Sequence, residues 1–201
     1  MLGRRVIFGA GIQDAALESA ILLGHVSRLD RTGLLIHAAD RLSALEAAEF
    51  QALLARRIRR EPAAYLTGTK QWFDLDLAVN RNVLIPRPET EILARMAIEE
   101  CAGLADRQGR TPMIVDVGTG SGALACAIAR ACPAGRMSAT DVAPGALRTA
   151  LRNTERWAGG RVELLLSDLL PSHTRFDLVV ANLPYIPNAE LDRLEPELSY
   201  E

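Results

Sequence analysis

The sequence predicts an α/β protein: an open, largely parallel sheet wound with helices in the carboxy-terminal half, preceded by a small helical region. Three observations carry that prediction. The apolar run Met113-Ile114-Val115-Asp116-Val117 passes straight into glycines at 118, 120 and 122 and then into an alanine-rich stretch, the order of strand, tight turn and helix. Further apolar segments of strand length alternate with helix-length stretches, and their carboxyl ends carry polar groups at Asp141, Asp168 and Asn182. The front third shows helix-spaced apolar positions instead of strand-like runs.

In chain order, Ala15, Leu17, Ala20, Ile21, Leu22 and Val26 recur at helix spacing. Ser43-Ala44-Leu45-Glu46 reads as a capping box that opens a second helix, expected to end near Glu61-Pro62. Arg56, Arg57, Arg59 and Arg60 in its last turns suit the negative end of the helix dipole, with contact to an acidic partner as the alternative. Trp72, Phe73, Leu75, Leu77 and Val79 alternate approximately with polar residues and predict a hairpin. The resulting expectation is a helical domain over 1–68, a hairpin and linker over 69–88, and the sheet domain over 89–201.

Within the sheet domain, Ala123 to Ala131 reads as a helix ended by Pro133. The strand Arg136 to Val142 puts Asp141 at its carboxyl end, where a carboxylate can accept from both hydroxyls of a ribose; capping the helix opened by Ala143-Pro144-Gly145-Ala146 is the plainer role. A third strand, Arg161 to Asp168, closes with an acid able to accept from an adenine amino group. Phe176 to Ala181 reads as a buried strand whose tip is Asn182-Leu183-Pro184-Tyr185. Ligands of open α/β sheets bind in the crevice beyond the carboxyl ends of the strands, so these tips and the glycine loop are expected to line one site.

Glycines that admit a nucleoside-like ligand, without a Walker lysine or a full pyrophosphate fingerprint, favour S-adenosyl-L-methionine over a nucleoside triphosphate or NAD. A transferase that methylates a planar nitrogen must hold the NH2 group with its lone pair facing the methyl donor, at about 3 to 3.5 Å. Asn182 Oδ1 and a backbone carbonyl are candidates for the two acceptors that do this, and they would also stabilise charge developing on nitrogen. Tyr185 is placed to stack on the planar group, or is a core aromatic.

With these residues in place the chain resembles the HemK/PrmC glutamine methyltransferases. The resemblance runs through Glu61-Pro62-Ala63-Ala64-Tyr65-Leu66-Thr67-Gly68, Leu84-Ile85-Pro86-Arg87-Pro88-Glu89-Thr90-Glu91, the glycine loop, Asp141, Ser167-Asp168-Leu169 and the Asn182 tip, in order and spacing from about Asp14 onward. It implies a Rossmann-like class I methyltransferase sheet. It also implies an S-adenosyl-L-methionine-dependent enzyme that methylates the glutamine amide of the Gly-Gly-Gln motif in class-one peptide chain release factors. Gly118, Thr119, Gly120, Ser121, Gly122, Asp141, Asp168, Leu169 and Asn182 would then bind cofactor. Asn182, Leu183, Pro184 and Tyr185 would hold the substrate, with Asn182 and Tyr185 catalytic, and the helical domain would help recognise the release factor.

Two departures stand out. Leu183 occupies a place where the family usually carries proline, though it keeps its carbonyl and is biased toward extended conformations by Pro184. Family members are also longer, so the sheet is expected to be incomplete after its fourth strand. The Asn-Leu-Pro-Tyr spelling also occurs in adenine dimethylases of rRNA, which makes an rRNA or DNA adenine amino-group methyltransferase the nearest alternative. An inactive, truncated paralogue that only binds cofactor or release factor is the other.

Composition narrows the partners. Hydrophobic residues at 49% and charged residues at 24% are near globular averages, and a net charge of −2 argues against non-specific nucleic-acid binding, so the expected partner is a protein. Cys101, Cys126 and Cys132 form no CxxC pair and are expected as free thiols in a reducing cytoplasm. No stretch of roughly eighteen apolar residues suggests a membrane span. His25, His37 and His173 lack ligand-like spacing, and no metal is expected.

Overall fold

The computed structural model describes residues 2–172, 174–183 and 196–200. The chain divides into two compact units, Met1–Gly68 with Glu195–Tyr200, and Thr69–Leu194 with Glu201.

The first unit contains helices α1 (Leu2–Gly9), α2 (Ala15–Ser27), α3 (Arg31–Ile36), α4 (Ala44–Arg57) and α5 (Ala63–Thr67), with a 3-10 turn at Pro196–Tyr200. Its core gathers Ile7, Ile12, Leu22, Val26, Leu53, Leu54 and Leu66. On α2 the buried stripe is Ala15, Leu22 and Val26, spaced by seven and four residues, so Leu17 and Ile21 fall off it and are exposed. The capping box forms as expected: Ser43 Oγ accepts from the Glu46 amide at 3.3 Å, and Glu46 Oε2 accepts from the Ser43 amide at 2.8 Å.

The arginines after Ala55 correct the sequence reading, because three of the four pair with specific acceptors instead of merely facing a dipole. Arg57 is buried and grips Glu18 through Nε and Nη2, with Nη2 also 2.9 Å from Glu197. Arg56 makes a two-point bond to Glu61 at 2.8 and 2.7 Å. Arg60 reaches the Ala10 and Gly11 carbonyls and Glu197. Only Arg59 donates back into the helix end, to the Ala55 carbonyl at 3.1 Å. A four-arginine run thus binds the unit internally.

The second unit opens with the expected hairpin, β1 (Thr69–Trp72) and β2 (Leu75–Ala78), antiparallel with Thr69 opposite Ala78 and Trp72 opposite Leu75. Trp72, Leu75 and Leu77 are buried by the alternation, and Trp72 Nε1 donates to the Arg87 carbonyl at 2.8 Å. There follow α6 (Thr90–Gln108), β3 (Met113–Val117), α7 (Ala123–Ala131), β4 (Arg136–Asp141), α8 (Pro144–Ala158), β5 (Val162–Leu166) and β6 (Leu178–Ala181). The four sheet strands run parallel in the order β5-β4-β3-β6, with Val115 opposite both Ser138 and Val179. Chain order steps one way from β3 to β5 and then jumps to β3's other side, which creates the switch-point crevice beside β3. Helix α7 is buried from Ala123 through Ala129, its small side chains letting it lie close to its neighbours.

Two strand expectations need correction. The last strand begins at Leu178, not Phe176, and only Val180 within it is buried, with Val179 49% exposed. Among the described residues β6 pairs on one side alone, with β3, so its other edge has no strand beside it. Its start is pinned by Asp177, whose Oδ2 accepts from the Met113 amide at 2.8 Å and whose carboxylate is clasped by Arg110 at 2.9 and 2.5 Å. Likewise β5 ends at Leu166, leaving Asp168 in the exposed turn beyond it.

Candidate active site at the carboxyl ends of the strands

Beyond β3 the chain turns through glycines in the left-handed region, with φ +69° at Gly118 and +78° at Gly122. Each also permits a close approach. A Cβ on Gly118 would stand 2.7 Å from Leu183 Cδ2, and one on Gly122 would stand 3.2 Å from Ala150. The loop and the Asn182-Leu183 tip are therefore in contact, since β3 and β6 are neighbours. A Cβ on Gly120 would meet nothing within 4 Å, so the loop's backbone is open to a ligand at that point.

Internal bonds hold the loop. The Thr119 amide donates to the Thr140 carbonyl at 2.9 Å, the Gly122 amide to the Thr119 carbonyl at 2.8 Å, and the Gly120 amide to Asp141 Oδ2 at 2.9 Å. Thr119 and Ser121 are buried, and the Thr119 hydroxyl donates to Asp116 Oδ2 at 2.6 Å. Asp116 itself is fully buried. Burial pushes its carboxyl up to about 6; bonds from Thr119 and the Ala125 amide oppose the rise, and the charge of Asp141 adds to it. Its Oδ1 has no hydrogen-bond partner among the described residues.

Asp141 ties the glycine loop to the start of α8. Oδ2 takes the Gly120 amide and Oδ1 takes the Ala143 amide at 2.9 Å, yet Ala143, not Asp141, is the N-cap of α8, with Pro144 in its first turn. Each carboxylate oxygen keeps a further lone pair for a ligand hydroxyl. Next to it, the Ser167 amide donates to the Asp141 carbonyl at 3.1 Å, bringing the Asp168 turn alongside. Leu169 sits at φ +59°, held there by Thr140 Oγ1 donating to its carbonyl at 2.8 Å.

The side chain of Asn182 is half-buried, and its Nδ2 donates to Thr90 Oγ1 at 3.1 Å. That bond orients the amide and leaves Oδ1 on the side away from Thr90. Pro184 and Tyr185 lie outside the described residues, as does His173. The fold thus brings together Gly118, Gly120, Asp141, the Asp168-Leu169 turn, Asn182 and Leu183. Sequence reasoning missed three residues that support them. Thr90 sat inside the quoted Ile85 to Glu91 run without a role, Asp116 passed as one polar residue in an apolar strand, and Asn153 is an amide on the apolar stripe of α8.

An open parallel sheet with a glycine turn after its central strand and an acid at the end of the next is the framework of a methyltransferase domain. A model described as a methyltransferase domain matches residues 114–199, and one described as the PrmC N-terminal domain matches residues 3–68. The chain is 38% identical over 190 residues to the release factor glutamine methyltransferase of Geobacter sulfurreducens, covering 94% of this chain and 64% of that protein. It is 37% identical over 201 residues to the protein of the same name from Moorella thermoacetica, covering 98% and 69%, and 38% identical to that of Bordetella pertussis, covering 92% and 67%. The chain belongs to the release factor glutamine methyltransferase family. It spans about two thirds of the length of the curated relatives it matches.

Proposed function

We propose that this chain binds S-adenosyl-L-methionine over the glycine loop and methylates the side-chain amide of the Gly-Gly-Gln glutamine in a peptide chain release factor. The observation that carries the reading is Asn182: a preset amide whose nitrogen is bound by Thr90 and whose oxygen remains to accept, one residue from Leu183, which lies on Gly118. The name its relatives carry supports the substrate, and supports it over an adenine base.

The residues present fit the cofactor. Gly120 supplies open backbone, Asp141 has lone pairs left for ribose hydroxyls, and the Asp168-Leu169 turn adjoins it for the base. When bound, S-adenosyl-L-methionine supplies an electrophilic methyl on a sulfonium. Asn182 Oδ1 then accepts one N–H of the glutamine amide and the Leu183 carbonyl accepts the other. Two acceptors in that arrangement orient the nitrogen lone pair and offset the positive charge that grows on it, an effect largest where water is excluded. Tyr185 stacks on the amide plane in this reading.

The helical region 1–68 serves release-factor recognition, the hairpin and linker 69–88 join it to the domain 89–201, and the work is done in the cytoplasm without direct nucleic-acid contact. Among the described residues no helix is long and apolar enough to cross a membrane, and no cluster of candidate metal ligands occurs.

The test is transfer of labelled methyl to release factor and, separately, to rRNA, with the site mapped by mass spectrometry. Label on the Gly-Gly-Gln glutamine, lost when that glutamine is alanine, is the expected result; label only on adenine reverses the assignment. Asn182→Ala is expected to lower turnover about a hundredfold or more while cofactor affinity stays nearly unchanged, as for loss of a preorganised polar group. Thr90→Val is expected to act in the same direction, more weakly.

A further inference from the structure

Helix α8 and the hairpin meet along a ladder of side chains. Trp157 Nε1 donates to the Asp76 carbonyl at 3.0 Å, and Asn153 bonds Ala78 twice, with Oδ1 accepting from its amide at 2.7 Å and Nδ2 donating to its carbonyl at 2.9 Å. Asn80 Nδ2 donates to Thr149 Oγ1 at 2.9 Å. The helix residues are four apart and the hairpin residues two apart, running in opposite directions. Four helical residues advance about 6 Å and two extended residues about 6.6 Å, so the rungs stay in step.

The middle rung goes further than its neighbours. Asn153, 1% exposed, uses its second N–H to donate to the Ser121 carbonyl at 2.7 Å, inside the glycine loop. Both N–H groups and the oxygen of this amide are therefore engaged, two with the hairpin and one with the loop. One turn earlier, Ala150 packs against Gly122.

We propose that Asn153 is a positioning residue for the cofactor loop, holding Ser121 and Gly122 in place from behind and coupling them to the hairpin at Ala78. This rests on the cofactor reading given above. Removing the amide leaves the Ser121 carbonyl and both backbone groups of Ala78 without partners in a buried place, an arrangement that relaxes by letting the loop move. Coupling of this kind is reciprocal: whatever orders the loop steadies the hairpin.

Two controls separate positioning from plain stability. Trp157→Phe and Thr149→Ala each remove one outer rung and leave the loop bond intact. Calorimetry with S-adenosylhomocysteine, well below each variant's melting temperature, is expected to give about a tenfold higher Kd for Asn153→Ala and no change for the two controls, even where they lower Tm as much. In turnover, KM for S-adenosylmethionine rises while kcat changes little. Hydrogen exchange reads the loop without any ligand: Asn153→Ala speeds exchange at the Gly120 and Gly122 amides by tenfold or more. Unchanged loop exchange, or a Kd increase equalled by Trp157→Phe, overturns the proposal. A wild-type chain that fails to bind S-adenosylhomocysteine overturns the cofactor reading instead, and the exchange result still decides the role of Asn153. Should Asn153→Ala not fold, the wild-type chain suffices. The amides of Ala78, Gly120 and Gly122 are expected to exchange through one opening with a common urea dependence, and separate openings refute the coupling.

Discussion

Asp116→Asn is expected to remove a pH dependence that the wild-type chain owes to one buried carboxyl. Asp116 is 1% exposed; only Oδ2 has a side-chain donor, the Thr119 hydroxyl, while Oδ1 has no partner among the described residues. Burial raises its pKa from 3.8 to about 6. A folded state that prefers the protonated acid binds more protons than the unfolded chain between those values, so this group's contribution to stability is full below pH 3.8 and is lost as pH rises through about 6. At 1.36 kcal/mol per pKa unit the loss amounts to about 3 kcal/mol. With a urea m-value of about 2 kcal/mol/M, the midpoint of the wild type should fall by about 1.2 M relative to Asp116→Asn between pH 4 and pH 7.5, the remainder of the loss lying below pH 4. Asparagine brings its own change, an added N–H pair where an oxygen stood, but that offset does not titrate. The difference between the two midpoint curves, followed by circular dichroism at half-unit pH steps, therefore isolates the carboxyl. Parallel curves across that range would refute the assignment of a raised, buried acid.

Three further outcomes are expected. Asp141→Ala should weaken cofactor binding by about 1–3 kcal/mol, the range for removing a charged hydrogen-bond acceptor, with calorimetry as the measure, and should leave saturated turnover less affected than Asn182→Ala does. Asp177 is held down at about 2 by the Arg110 guanidinium first and the Met113 amide second; its stabilising contribution is present above pH 3.8 and lost as pH falls toward 2, so acid unfolding monitored by fluorescence should begin at higher pH in Arg110→Ala, which lacks the pair, than in the wild type. Burial pushes the Cys101 thiol, beside Cys132, and the Cys126 thiol up to about 12, so native protein at pH 8 should react negligibly with a disulfide reagent at these positions and release all three thiols in denaturant; prompt reaction of the folded chain would contradict their burial.

Much of the fold was legible because its signals are local. The capping box at Ser43, the alternation from Trp72 to Val79, and the apolar run that ends in Gly118 each depend on residues within a few positions of one another. What stayed hidden is pairing over distance. The arginines at 57 and 60 look like dipole-compensating charges until Glu18 and Glu197 are brought to them by folding. The partial exposure of β6 depends on what covers it, a property of the sheet and not of the Phe176 to Ala181 composition. Among the proposed site residues, the glycines, Asp141 and Asn182 could be named from type and position at strand ends. Thr90 and Asn153 could not, because their contribution is a bond to a residue 92 or 32 positions away.

The position of Leu183 shows how the two halves of the site are joined. Its side chain rests where a Cβ on Gly118 would stand, so the residue that follows the proposed amide-holding Asn182 also covers the first glycine of the proposed cofactor loop. The loop is meanwhile tied to β4 through Thr140 and Asp141 and to α8 through Asn153, and Asn182 is tied to α6 through Thr90. The glycine turn and Asn182 are thereby each braced by another element, in addition to the bond within the turn from the Gly122 amide to the Thr119 carbonyl. A proline at 183 would restrain the backbone beside Asn182 more strongly, since its ring fixes φ, but its short ring lacks the reach of Leu183 Cδ2 toward Gly118. Leucine exchanges that local restraint for a contact between the segments that follow β3 and β6, beside the proposed site, and orientation of Asn182 then falls to the Thr90 hydroxyl.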